Sequence, residues 1–362
     1  MLPKASGSAV LQSVVVPIEQ RGPGSIETRV SKWHTKWLAV LSILTICPAC
    51  SLSDHPVVES KLGKPSSLEA LEKVIDVPGP IEVETVNSAD WTVPLSGLVD
   101  LKNAAAQAAH MLDRPEPIHV FVHIVRHPQF GTYMVDTGVS EQLLADPGSH
   151  GISWLVRKVM PLHQMHIREG TAEVVARIPA GIQGVFFTHL HVDHISGMPD
   201  IAGNVPLYVG HSESTATSFQ NLFVRGTTNK LLDGKAELQE WPFRWNDDHK
   251  GIVIGEVVDI FGDGSAFAIS APGHTPGSTA YLFRTSKGPV LLTGDTSHTR
   301  WGWEHSVEPG SYTADQPTNL KSLLLLKNLA SRHPDMEVQL VCQEQGFRAK
   351  TGTSTVANRQ FG

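Results

Sequence analysis

"FFTHLHVDHISG", Phe186 to Gly197, sets three histidines and one aspartate within six residues, directly behind an apolar run. Polar side chains crowded against a buried segment cost free energy unless something pairs with them. On a strand, His189 and His191 point to the same face, because side chains alternate with period two. Asp193 and His194 then open the next turn. Three imidazoles and a carboxylate converging from one strand end supply the nitrogen and oxygen donors that Zn²⁺ takes at about 2.0–2.2 Å. Each alone reads as a solvated loop residue; the joint pattern T-H-x-H-x-D-H-x-x-G reads as a metal site. Thr188 and Ser196 stand where they can orient the loop, and Gly197 permits a tight turn.

The chain around this stretch has 362 residues, 41% hydrophobic and 18% charged, which places it among soluble globular proteins. A net charge of -7 with no basic stripe argues against a nucleic-acid-binding surface; a small-molecule substrate is the expected partner. With eighteen histidines, position has to decide which ones matter.

The N-terminal region differs from the rest. Trp37 to Ala49, "WLAVLSILTICPA", is apolar, follows Arg29, Lys32 and Lys36, and is shorter than the roughly 20 residues of a membrane span. A basic stretch, an apolar stretch and a small residue form the layout of a signal peptide. Residues 1–50 are therefore expected as an N-terminal extension and signal peptide, with translation starting near Val30, and the protein is expected in the periplasm or cell envelope. A buried N-terminal helix is the alternative. Cys47 and Cys50 are candidates for lipidation and membrane attachment, although neither sits in a good lipobox. A redox C-x-x-C is the other reading, and no disulfide framework is expected.

Residues 51–79 are rich in Ser, Pro and Lys and read as a linker with one short helix near "SSLEALEKVI". From residue 80 to 362 the pattern is that of one domain. "IEVETVNSADWTVPL" and "IHVFVHIVRH" read as strands, and "GTYMVDTG" closes a hairpin across "HPQFG". "LVDLKNAAAQAAHML" and "TNLKSLLLLKNLASRHP" read as helices. "GVFFTHL" is a short buried strand. Strands arranged first in hairpins and then interleaved with helices suggest two packed sheets with helices outside.

Four motifs in order resemble the metallo-β-lactamase superfamily: "MVDTG" (Met134 to Gly138), "THLHVDH", "APGHTPGS" with His274, and "LLTGDTS" with Asp295. "LYVGHSE", Leu207 to Glu213, also matches the strand that follows the histidine motif. The resemblance spans roughly Pro80 to Phe347. It implies an α+β fold, an αβ/βα four-layer sandwich with a two-metal site at one edge. His189, His191 and His274 would hold the first zinc, Asp193 and His194 the second, and Asp295 would bridge them. Asp136 would orient a ligand from behind. One or two Zn²⁺ per chain are implied. The family usually closes the second site with a histidine after the last core strand. Here "LVCQEQG" stands there, and Glu344 is the positional substitute, ahead of Gln343. An added carboxylate tilts that second site toward Mn²⁺ or Fe²⁺.

The resemblance implies an exported metal-dependent hydrolase that uses a metal-bound hydroxide to cleave an ester, lactone or amide, closest in look to the acyl-homoserine-lactonase branch. Asp193 is the candidate proton acceptor. Where those lactonases carry a tyrosine three residues after the bridging aspartate, this chain has His298, a candidate donor to the developing oxyanion. His305 is a weaker candidate for the missing ligand. Met160, Leu162 and Met165, in an insertion at 141–180, are candidates for an apolar pocket wall or for plain core. A mononuclear-iron oxidoreductase of the persulfide-dioxygenase type and a catalytically degenerate binding protein are the competing readings. The sequence leaves the oligomeric state open.

Overall fold

The computed structural model describes residues 51–218, 221–244, 253–341 and 346–348. The strands among them are β1 (Val57–Glu59), β2 (Lys64–Ser66), β3 (Glu82–Pro94), β4 (Pro115–His127), β5 (Gly131–Val135), β6 (His166–Ile167), β7 (Ile182–Phe186), β8 (Leu207–Val209), β9 (Leu238–Glu240), β10 (Val257–Asp259), β11 (Ala266–Ser270), β12 (Thr279–Thr285), β13 (Gly288–Leu292), β14 (Glu337–Gln339) and β15 (Phe347–Arg348). They form an eight-stranded sheet in the order β1-β9-β8-β7-β5-β4-β3-β6 and a seven-stranded sheet in the order β15-β14-β13-β12-β11-β10-β2.

Alternation along the strands builds the layers. On β12, Tyr281 and Phe283 join the cluster between the two sheets, while Ala280 and Leu282 join the cluster on the other face. On β5, Tyr133 and Val135 face inward and Met134 outward. A strand with both faces buried needs apolar residues on each, which is why β11 reads AFAIS with every residue buried. The inner cluster stacks Phe186 on Tyr133 at 4.8 Å and on Tyr281 at 5.7 Å between ring centroids. Val174, Ile195 and Leu231, from the helices Thr171–Ala176, Val192–Ile195 and Asn221–Leu232, cover the first sheet. Leu71 from Leu68–Glu72, and Leu323, Leu326 and Leu329 from Gln316–Arg332, cover the second. The result is the expected αβ/βα sandwich.

The hairpin of β4 and β5 pairs His123 with Val135 through His127 with Gly131, as expected from "HPQFG". The linker expected over residues 51–79 is not one. Its β1 pairs in parallel with β9 at one edge of the first sheet, and β2 pairs antiparallel with β10 at one edge of the second. These strands are three residues long and carry Pro65, Lys64 and Glu59, as edge strands tolerate. Edge strands this short have no alternation to read. The expected helix does form, over Leu68–Glu72, capped by Ser67 Oγ accepting from the Ala70 N–H at 3.2 Å. Cys47, Cys50 and the signal-like segment lie outside the described residues, as do Cys342, Gln343 and Glu344. No helix among the described residues is long and apolar enough to cross a membrane.

Candidate metal centre

Strand β7 ends at Phe186, so His189 and His191 stand on the loop beyond it and not on the strand itself. They still converge, with ring centroids 4.5 Å apart. His191 is the N-cap of the short helix Val192–Ile195, and that turn presents Asp193 and His194. Thr137 pins the turn from outside, its N–H and Oγ1 both donating to the His194 carbonyl at 3.1 and 2.8 Å.

His274 arrives from the loop after β11. Gly273 has φ +135°, and a side chain there would run into the backbone of Asn319, so only glycine closes this turn. Thr313 Oγ1 lies 3.2 Å from His274 Nδ1, leaving Nε2 facing the centre. Asp295 follows β13 on the turn Gly294–Thr296.

The four stretches meet. Ligand atoms of His189, His191, His274 and Asp295 all lie within 4.8 Å of one another, as do those of Asp193, His194 and Asp295. The Asp295 carboxylate belongs to both groups: Oδ2 is 3.2 Å from His274 Nε2 and Oδ1 is 3.3 Å from His194 Nε2. His189 Nε2 and Asp295 Oδ1 are buried with no hydrogen-bond partner among the described residues. Buried polar atoms left unpaired are costly, and a cation between them removes the cost. The donor set, nitrogen and carboxylate oxygen only, fits Zn²⁺ or a similar divalent metal.

Charge follows the same division. Burial holds His189 well below its ordinary pKa, lowers His191 to about 3 and depresses His274, so all three keep a neutral nitrogen. Burial pushes His194 down as well, but Asp295, Asp136 and Asp193 overcome it and raise its pKa well above the ordinary value. Burial opposes ionisation of Asp295, yet the surrounding His298, His194, His274 and His189 hold it well below the carboxylate range.

Asp136 occupies the supporting position expected of it. It adopts φ +56° directly after β5. Its Oδ1 accepts from the Thr188 N–H, and its Oδ2 accepts from Thr188 Oγ1 and from His194 Nδ1, each at 2.8 Å. His298 is buried, and its Nε2 donates to Asp295 Oδ2 at 2.9 Å. His305 does not reach the centre: it is exposed, stacks on Trp301 at 4.3 Å, and its Nδ1 meets the Trp301 carbonyl. Glu344 lies outside the described residues, and Val341, just before that segment, lines the cavity over the centre.

That cavity is about 650 Å³. His191, Asp193, His274, Asp295 and His298 form its polar floor, and Leu52, Trp91, Val93, Ile118, Met160 and Tyr312 are among its walls. Met160 is thus a wall residue, whereas Leu162 and Met165 belong to the buried core. Sequence reading missed Leu52, Trp91, Val93, Ile118 and Tyr312, which come from separate stretches with no common motif. It also missed Glu213, although "GHSE" places a carboxylate beside a glycine turn at a strand end.

The sequence profile described as Metallo-beta-lactamase superfamily matches residues 119–338. The N-acyl homoserine lactonase AttM of Azorhizobium caulinodans is 28% identical over 218 residues, covering 58% of this chain and 76% of that protein. An N-acyl homoserine lactonase of a Bacillus species is 25% identical over 234 residues, covering 64% and 82%. Among solved structures, a probable metal-dependent hydrolase from Staphylococcus aureus shares the fold with a TM-score of 0.50 at 13% identity, covering 73% of this chain and 90% of that one. The chain belongs to the metallo-beta-lactamase superfamily and is a metal-dependent hydrolase of that fold.

Proposed function

We propose that this hydrolase opens lactones carrying an apolar chain, with His189, His191 and His274 holding one divalent cation, Asp193 and His194 a second, and Asp295 standing between them. The observation that carries the reading is the joining of this cluster to a largely apolar cavity of about 650 Å³. Two relatives named N-acyl homoserine lactonase support it. Divalent cations bound there supply Lewis acidity and an acidified water at neutral pH. The chain's own residues do the rest. Asp193, partly exposed at the cavity floor, is placed to accept a proton as the ring opens. Asp136 fixes the His194 ring through Nδ1, so that Nε2 faces the centre. His298 orients Asp295 and presents an imidazole to the cavity. The apolar walls exclude water and hold the chain.

The meeting of Asp193, His194 and Asp295 supports two cations over the single iron of an oxygenase. A chain with Glu344 as the last ligand would complete the second site with a carboxylate, and Mn²⁺ or Fe²⁺ would suit it as well as Zn²⁺. Export to the periplasm or envelope is supported by the basic and apolar run ahead of Cys50.

The test is metal content together with a panel of lactones, esters, thioesters and β-lactams. Two divalent cations per chain and fastest turnover on lactones are expected. One iron with oxygen uptake, or faster turnover on any other class, would overturn the reading.

A further inference from the structure

The turn after β8 carries a carboxylate that no ligand set uses. Glu213 is 1% exposed. Its Oε1 accepts the Leu190 N–H at 2.7 Å, and Leu190 is the residue between His189 and His191. Its Oε2 accepts Thr275 Oγ1 at 2.7 Å and the Gly277 N–H at 3.0 Å, and these two residues follow His274. One carboxylate thus holds both histidine loops, which lie over eighty residues apart in the chain.

The turn that carries Glu213 packs closely on the His274 loop. A side chain at Gly277 would meet Glu213 Cβ at 2.5 Å, and one at Gly210 would collide with the Gly277 carbonyl. The turn itself is fixed: Ser212 takes φ +63°, and its N–H donates to Glu240 Oε1 at 2.8 Å. Thr275 is braced in turn by Ser278, whose Oγ accepts the Thr275 N–H at 2.9 Å. Charge-assisted hydrogen bonds in a dry setting are among the stronger ones, and three converge here.

We infer that Glu213 is a positioning residue of the metal centre: its buried carboxylate staples the His189–His191 loop to the His274 loop and sets the spacing of their three imidazoles. The inference rests on the proposed ligand assignment for those histidines, and it extends that assignment to a cavity-lining residue outside both ligand groups. Without the staple each loop keeps its own turn, but the separation between them is no longer fixed. The first cation then meets ligands that must be gathered on binding, and its affinity falls. Supporting carboxylates around metal sites act on affinity by about 10- to 100-fold.

The experiment uses the full chain stripped of metal and titrated with Co²⁺ alone, following the visible absorption that reports ligand geometry. Glu213→Gln keeps the shape but, whichever way its amide turns, sets an N–H against at least one of the three donors, Leu190 on one side or Thr275 and Gly277 on the other. We expect Glu213→Gln to bind the first Co²⁺ about tenfold or more weakly, with an altered spectrum. Thr275→Val, which removes one donor, should weaken it by less, and the two changes together should fall short of the product of their separate effects. Glu240→Gln is the control. It disturbs the same turn by removing the carboxylate partner of His211 without touching either histidine loop, and its Co²⁺ affinity should stay within twofold of the parent. Should Glu213→Gln fail to fold, the Thr275→Val comparison decides. Parent-like Co²⁺ affinity and spectrum in folded Glu213→Gln, or in Thr275→Val where that comparison decides, would overturn the inference, as would an equal loss in Glu240→Gln. A parent chain that binds Co²⁺ yet opens no lactone would sink the functional reading alone.

Discussion

Asp136 and His194, 58 residues apart, are joined by a 2.8 Å hydrogen bond from Nδ1 to Oδ2. The same carboxylate takes both the N–H and the hydroxyl of Thr188, the residue before His189. One carboxylate therefore orients the ring of a proposed ligand and the start of the loop that carries it. Asp136→Asn keeps the volume but replaces an acceptor oxygen with a donor. We expect metal affinity at the Asp193–His194 group to drop by about 10- to 100-fold, with first-site affinity less affected. Two-step metal titration checks this; equal loss at both steps would contradict it.

Acid should destabilise the metal-free protein, and His123 is one identifiable reason. Burial, with a smaller push from His194, lowers its pKa to about 3. In the unfolded chain an imidazole titrates near 6.5. Between those values the unfolded state binds a proton that the folded state refuses. Stability therefore falls as pH drops from about 6.5 toward 3, by up to about 1.4 kcal/mol per pH unit from this group. His123→Asn should flatten that slope in denaturant melts taken at pH 7, 6, 5 and 4. A slope unchanged by the substitution would show that other groups carry it.

Met160 lines the cavity at the C-terminal end of the helix Trp154–Val159. A bulkier side chain there shortens the apolar space without touching the polar floor. Met160→Trp should raise KM for a long-chain lactone several-fold and leave a short-chain one within about twofold. Each methylene denied burial is worth about 0.8 kcal/mol. A uniform change across chain lengths would place the chain elsewhere in the cavity.

Tyr281 crosses between the layers. Its hydroxyl donates to the Phe187 carbonyl at 2.8 Å and accepts from Trp241 Nε1 at 3.0 Å. Tyr281→Phe orphans both partners in the dry inter-sheet core, at a cost of about 1–3 kcal/mol. Chemical denaturation should show that loss. Because Phe187 leads into the ligand loop, slightly weaker metal binding should accompany it.

How much of this was legible beforehand depends on the range of the signal. The meeting of His189, His191, Asp193 and His194 could be read because candidate ligands on one short loop must sit at short, fixed spacings. His274 and Asp295 became candidates only through the resemblance of "APGHTPGS" and "LLTGDTS" to the superfamily's motifs, taken in order. Glu213 could not be assigned from sequence: its partners are two backbone N–H groups and a threonine, and backbone groups leave no mark on sequence. The cavity walls share that fate, since Leu52, Trp91 and Tyr312 meet only after the chain has folded. Residues 51–79 misled because strands of three residues at a sheet edge need neither periodicity nor hydrophobicity. His191 also departed from a simple strand alternation, since its loop is shaped by the turn it caps.

The placement of β1 and β2 has a mechanical corollary. Ten residues, Val57 to Ser66, fasten one border of each β-layer. A single protease cut between Glu59 and Lys64 would unlink β1 from β2 and let the two edge strands detach separately, while β9 and β10 stay joined through the chain between them. Susceptibility of that short span to limited digestion is accordingly a sensitive gauge of whether the two edges open together or one at a time.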